Sequence, residues 1–104
     1  MKKPVFEGMA SAIITPLNEK GIDFELFAKL VEWQIAEGID GIVVCGTTGE
    51  GSTLTDEEHK AAIEFMVKQV AGRVPVIAGT GSNDTDYAIE LTKHACQIGV
   101  DGVL

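Results

Sequence analysis

Residues 37 to 44, "EGIDGIVV", and residues 98 to 104, "IGVDGVL", are two copies of one phrase. Each sets a glycine at the end of a helical stretch, an aspartate two residues later, and then an apolar run. Gly38 and Gly99 stand 99 − 38 = 61 residues apart, room for two strand-plus-helix units of about 30 residues each. Strands that alternate with helices at this interval form βαβ units, and such strands run parallel.

The hydrophobic pattern supplies the units. "GMASAIITP" predicts a short strand from Ala10 to Thr15, stopped by Pro16, and "NEKG" has turn chemistry. Asp23 is placed to cap a helix from Phe24 to Glu37, with Phe27, Leu30, Val31 and Ile35 on its inner face and Gly38 after it. "IDGIVVC" is apolar throughout, the pattern of a parallel strand covered on both faces. Thr55 and Glu58 spell a capping box that opens a helix to about Ala71, with Ala62, Ile63, Met66, Val67 and Val70 inward. "VPVIAGT" is a third strand, and "GSND" leads into a helix from about Asp84 to Ile98 with Ala88, Leu91, Ala95 and Ile98 inward.

The order is α/β: three strand-plus-helix units and the start of a fourth strand. By itself it fits an open sheet or about half of an eight-stranded barrel, which needs roughly 250 residues. The second copy of the repeat stops inside its strand, so residues 1 to 104 are read as one incomplete domain.

Sixteen acidic residues against eight basic ones give a net charge of −8, which argues against a nucleic-acid partner and an anionic membrane surface. No apolar run approaches the roughly 20 residues of a membrane span. The start, "MKKPVFEGMA", lacks the apolar core of a signal peptide, and the expected location is the cytoplasm. Cys45 and Cys96 are too few for a disulfide framework and are read as reduced packing residues. His59 and His94 fall on separate helices without a carboxylate at ligand spacing, so no metal site is expected. His59 reads as a surface or subunit-contact residue, Trp33 and Tyr87 as packing residues, and Lys60, Lys68 and Lys93 as exposed helix residues.

In parallel α/β folds ligands sit at the carboxyl ends of the strands. The loop there with most chemistry is "CGTTGEGSTLTDEEH", residues 45 to 59. Gly46 and Gly49 let backbone approach a ligand. Thr47 and Thr48 add two hydroxyls and two N–H groups, a set that suits a small carboxylate or a hydroxyl proton relay. The competing reading has the threonines satisfying the loop's own backbone. Glu50 is expected to hold the loop by accepting backbone N–H bonds, and Asp56 to Glu58 to complement the helix dipole. "GTTGEGST" lacks the lysine of a P-loop, and "GTGSND" carries Asp84 where a dinucleotide fingerprint has its third glycine, so neither is read as a nucleotide site.

"AIITPLNEKGID", "GIVVCGTTGEGSTLTDEEH" and "GRVPVIAGTGSND", in this order and spacing, resemble the dihydrodipicolinate synthase and N-acetylneuraminate lyase family. The two threonines of "GTTGE" are similar to the synthase branch. The resemblance covers the whole chain, about the first third of a family member. It implies the N-terminal part of a (β/α)8 barrel and a cofactor-free, Schiff-base-forming lyase. That enzyme condenses pyruvate with aspartate semialdehyde in diaminopimelate and lysine biosynthesis, as a homotetramer. It implies that Thr48 holds the pyruvate carboxylate, with Gly46 and Gly49 beside it, and that Thr47 serves a proton relay between two tyrosines. The imine-forming lysine, both tyrosines and the arginine for the second substrate are implied to lie past residue 104, so the chain alone is expected to be inactive. Ser52, His59 and Asn83 are implied positions of a feedback site for lysine, where Asp56 and Tyr87 depart from the usual His and Glu. The alternatives are another pyruvate-dependent aldolase, acting on N-acetylneuraminate or keto-deoxy sugar acids, and a non-catalytic half-barrel assembly module.

Overall fold

The computed structural model describes residues 4–104; Met1, Lys2 and Lys3, the start of the stretch weighed as a signal peptide, lie outside them. Four strands form one parallel sheet: β1 (Ala10–Ala12), β4 (Gly41–Val44), β5 (Val76–Ala78) and β6 (Gly102–Val103). They lie side by side in the order β1-β4-β5-β6. Each connection steps one strand over in the same direction. Right-handed crossovers that never reverse place every helix on one face of the sheet. A doubly wound sheet reverses its strand order and has helices on both faces. The sequential order therefore selects the barrel reading over the open sheet.

The helices are α1 (Phe24–Ala36), α2 (Asp56–Val70) and α3 (Thr85–Ile98), and α2 packs against both others. Their starts follow the sequence. The Asp23 carboxylate accepts the Leu26 N–H at 3.0 Å. Thr55 Oγ1 accepts the Glu58 N–H at 3.1 Å while Glu58 Oε1 accepts the Thr55 N–H at 3.0 Å, a complete capping box. Asp84 caps α3 through the amides of Asp86 and Tyr87. Between β1 and α1 a hairpin of two-residue strands, β2 (Leu17–Asn18) and β3 (Gly21–Ile22), brackets the expected turn.

The sequence repeat is also a structural one. Gly38 and Gly99 both take left-handed backbone at the helix ends, with φ of +90° and +102°. Asp40 Oδ2 accepts the Met9 N–H at 2.8 Å, and Asp101 Oδ2 accepts the Val76 N–H at 2.8 Å. Each aspartate thus caps the start of the neighbouring strand, β1 in one copy and β5 in the other.

The core lies between sheet and helices. Ile13, Phe27, Val31, Ile42, Val44, Ala62, Ile63, Met66, Val70, Val76, Ala78, Leu91 and Ala95 are buried. The Phe27 and Phe65 rings stack at 5.2 Å between centroids. The opposite face carries Val43 and Ile77 half-buried and Ile14 51% exposed. The strands are therefore covered on one face, not both as their apolar runs suggest. Two packing assignments are also corrected. Trp33 is 59% exposed, since its position on α1 points away from the sheet, and Cys96 is exposed on α3.

Candidate active site

The loop after β4 turns by a strained start. Cys45 has φ +58°, a left-handed conformation that costs a non-glycine residue about 1–2 kcal/mol. Its carbonyl is hemmed in by two glycines: a Cβ built on Gly51 or Gly79 would fall within 2.3 Å of Cys45 O. Only glycine fits at either place, so the loops after β4 and β5 close against each other over the end of β4. Burial pushes the Cys45 thiol up to about 12. It stays protonated at neutral pH and packs rather than attacks.

Residues 46 to 51 then form one turn closed by backbone alone. Gly51 N–H donates to Gly46 O at 3.2 Å and Glu50 N–H donates to Thr47 O at 3.0 Å, with Glu50 left-handed at φ +59°. This is the paired 6→1 and 5→2 bonding of a Schellman motif. The Glu50 carboxylate makes no hydrogen bond among the described residues, so the role expected of it falls to the backbone. The geometry has a second consequence. A trans peptide points its N–H opposite to its C=O. The carbonyls of Gly46 and Thr47 both point into the turn, so the N–H groups of Thr47 and Thr48 point out of it. Neither donates to a protein acceptor among the described residues. The threonines do not satisfy the loop's own backbone, because its backbone already does so.

Cys45, Gly46, Thr47, Gly51, Ser52 and His59 line a cleft of about 180 Å³ at the strand ends, with Gly79, Gly81 and Leu104 opposite. Thr47 reaches this cleft, Thr48 is exposed beside it, and Gly49 is buried beneath. Among the described residues no lysine lines it. Lys60 is half-buried rather than fully exposed, and is paired with Glu90 at 2.9 Å and Asp56 at 3.2 Å. These bonds, Glu90's first, raise its pKa, the opposite of what an imine-forming amine needs.

His59 departs most from expectation. It is 3% exposed, and its Nε2 lies 2.7 Å from Gly79 O. A carbonyl accepts only, so Nε2 donates this bond, while Nδ1 is buried without a partner among the described residues. His59 also borders a second cleft of about 390 Å³ with Ser52, Leu54, Asn83 and Tyr87, so Ser52, His59 and Asn83 do come together. Tyr87 is half-buried at that cleft, where burial and the Asp56 carboxylate raise its phenol pKa. The Lys60 hydrogen bond holds the Asp56 carboxyl low. His94 sits 3.6 Å from Glu64 on the outer helix layer. Among the described residues no three His, Cys, Asp or Glu side chains converge.

Sequence reasoning passed over two buried hydroxyls. Thr15 Oγ1 donates to Gly49 O at 2.7 Å. Thr92 Oγ1 donates to Ala88 O at 2.8 Å, which leaves the buried Thr80 hydroxyl to donate to Thr92 at 2.9 Å. Thr15 and Thr80 each close the apolar stretch that contains a strand, three residues past β1 and two past β5, the one signal that could have found them.

A sheet in sequential parallel order, helices on one face and free amides at the strand ends define a segment of a (β/α)8-barrel protein. The chain belongs to the Dihydrodipicolinate synthetase family, whose family model matches residues 5–104. It is 57% identical over 104 residues to a 4-hydroxy-tetrahydrodipicolinate synthase of Acetivibrio thermocellus, covering all of this chain and 36% of that protein. The crystal structure of dihydrodipicolinate synthase from Aquifex aeolicus superimposes with a TM-score of 0.91 at 52% identity, over 94% of this chain and 33% of that one. The chloride-inhibited enzyme of Acinetobacter baumannii complexed with pyruvate gives a TM-score of 0.89 at 47% identity, over 92% of this chain and 33% of that one. The chain spans about a third of the length of the relatives it matches.

Proposed function

We propose that the turn Gly46–Gly49 is the carboxylate-binding part of a pyruvate site, in a lyase that condenses pyruvate with aspartate semialdehyde for diaminopimelate and lysine synthesis. The observation that carries this reading is the pair of outward amides on Thr47 and Thr48, each beside its own hydroxyl. Two amides and a hydroxyl match the two oxygens of a small carboxylate. A relative complexed with pyruvate supports that choice of ligand. Thr48 holds the carboxylate by its hydroxyl and N–H, with Gly46 and Gly49 allowing close approach. Thr47, on the cleft side, passes a proton between groups supplied by the rest of the protein. The keto carbon is attacked by a lysine outside these 104 residues. On this reading the complete protein is a cofactor-free homotetramer of the cytoplasm. These residues make up the N-terminal part of its barrel domain and are inactive alone.

The test is to reduce pyruvate onto protein with borohydride and weigh the product. The full-length protein is expected to gain one pyruvyl group on a lysine beyond residue 104, and the 104-residue chain none. A single specific adduct on Lys60, Lys68 or Lys93 would overturn the assignment. Turnover with N-acetylneuraminate or keto-deoxy sugar acids in place of aspartate semialdehyde would move it to another pyruvate aldolase.

Ser52, His59 and Asn83 are proposed to mark the position of an effector cleft that binds lysine poorly. The ammonium of lysine needs a carboxylate, and Tyr87 offers none. Its carboxylate needs donors, and Asp56 is an anion. Losing one such charged bond weakens binding by about ten- to a hundredfold. Synthase rate is expected to fall little at submillimolar lysine. Half-inhibition in that range, abolished by His59→Ala or Asn83→Ala, would refute this.

A further inference from the structure

Thr15 lies outside the "GTTGE" loop, on the strand-end segment before the hairpin, yet its hydroxyl donates 2.7 Å to Gly49 O. The donor is firmly held. Thr15 is 3% exposed and is followed by Pro16, which confines it to extended backbone. Pro16 O in turn accepts the Asp23 N–H at 2.8 Å, at the cap of α1. The acceptor is equally confined. A Cβ on Gly49 would meet Ile13 O at 3.0 Å and Thr15 Oγ1 at 3.1 Å, so glycine is what lets the two segments approach.

The bond reaches further than Gly49. Gly49 C=O and Glu50 N–H share one peptide plane and point in opposite directions. Fixing the carbonyl on Thr15 aims the Glu50 N–H at its acceptor, Thr47 O, 3.0 Å away. Thr47 C=O shares the next such plane with Thr48 N–H. The Thr15 hydroxyl therefore sets, through two peptide planes, the direction of the Thr48 amide. We propose that Thr15 is a positioning residue for carboxylate binding: it never touches the ligand, and it holds the Thr48 N–H ready for it. The inference rests on the pyruvate reading of the loop. The alternative is that Thr15 merely stabilises the fold. A buried hydroxyl with one partner does both, so stability alone cannot decide between them.

The experiment uses the full-length protein with Thr15→Val, which keeps the shape and removes the donor, and Thr15→Ser, which keeps the donor. Ile35→Val, on α1 away from the strand ends, controls for lost stability. Thr15→Val is expected to raise KM for pyruvate about three- to tenfold with a smaller change in kcat, and Thr15→Ser to return KM to within about twofold of the original. Ile35→Val should leave KM unchanged. A Thr15→Val protein that melts lower but keeps its KM would reduce Thr15 to a structural role and overturn the proposal. Amide hydrogen exchange at Glu50 gives a readout that needs no pyruvate. It is expected to quicken in Thr15→Val and not in Ile35→Val, and unchanged exchange would also overturn the proposal. If the unmodified protein fails to bind pyruvate while Glu50 exchange still responds to Thr15→Val, the ligand assignment falls and the tether stands.

Discussion

The two faces of the sheet are made of similar residues and live in different surroundings. On the helix side, Ile13, Ile42, Val44, Val76 and Ala78 are at most 3% exposed. On the other, Val43 and Ile77 are half-buried, Ile14 is 51% exposed and Leu104 is 72% exposed. Register explains the split. Ile42 pairs with Val76, and Val43 with Ile77, so each row stays on its own side across the sheet. Across β1, β4 and β5 the helix face is a finished core; at β6 it is not, since Val103, which pairs with Ala78 on this side, is 44% exposed. The open face is a core surface without its partner, the inward surface of a barrel that four strands do not close. An apolar residue stabilises a protein by the area it removes from water, and a side chain removes little until something covers it.

The sharpest test of this contrast is a pair of neighbours. Ile42→Ala should cost about 2–5 kcal/mol in the full-length protein and in the 104-residue chain alike, because its cavity forms in both. Val43→Ala should cost a similar amount only in the full-length protein, and about 1 kcal/mol or less in the short chain. Urea unfolding of the four variants measures it. Equal costs for Val43→Ala in both lengths would show that the open face is already filled. Association should follow the same face. Among the described residues the sheet has unpaired edges at β1 and β6 beside an exposed apolar surface, the combination that drives strand-to-strand assembly. The 104-residue chain is expected to sediment as dimers or larger species, and Ile77→Lys to shift it toward monomer. A well-folded monomer with cooperative melting would contradict this.

The smallest effect lies on the outside of the helix layer. Glu32 accepts two bonds from Arg73, at 2.9 and 2.6 Å, and one from Gln69 at 2.8 Å. Arg73 first, then Gln69, holds its carboxyl at about 2, against an ordinary value of 4.5. A depressed carboxylate stabilises the fold above its unfolded value, and that contribution is lost as pH falls from about 4.5 to about 2. The pair is solvent-exposed, so the effect is small and weakens with salt. Arg73→Met should flatten the acid limb of the stability curve in this window, with a small loss of stability near neutrality that disappears by about pH 2. An identical acid limb in the variant would show that the pair contributes nothing.

Much of the fold was legible because the rules that made it are local. The capping box at Thr55 and Glu58 needs only two residues three apart, and it formed with both bonds. The repeat around Gly38 and Gly99 marked two equivalent strand entries, and the structure added that Asp40 and Asp101 cap neighbouring strands. The hairpin of β2 and β3 was read only as a turn, since strands of two residues carry no period. The site was legible in its glycines and threonines. The tethers Thr15 and His59 were not, because each bonds to a carbonyl 34 or 20 residues away.

The sequence alone placed the three helices and the four strands of the parallel sheet, though not the two-residue strands β2 and β3, and it settled where α1, α2 and α3 begin and which loop carries the hydroxyls and amides. Periodicity, caps and turn residues act over a few positions and can be read without knowing what lies opposite. Only the tertiary structure decided that the sheet runs β1-β4-β5-β6 with one face left open, that Trp33 faces water and that His59 does not. Burial and hydrogen-bond partners at a distance belong to pairs of residues, and the pairing exists only once the strands have found their order.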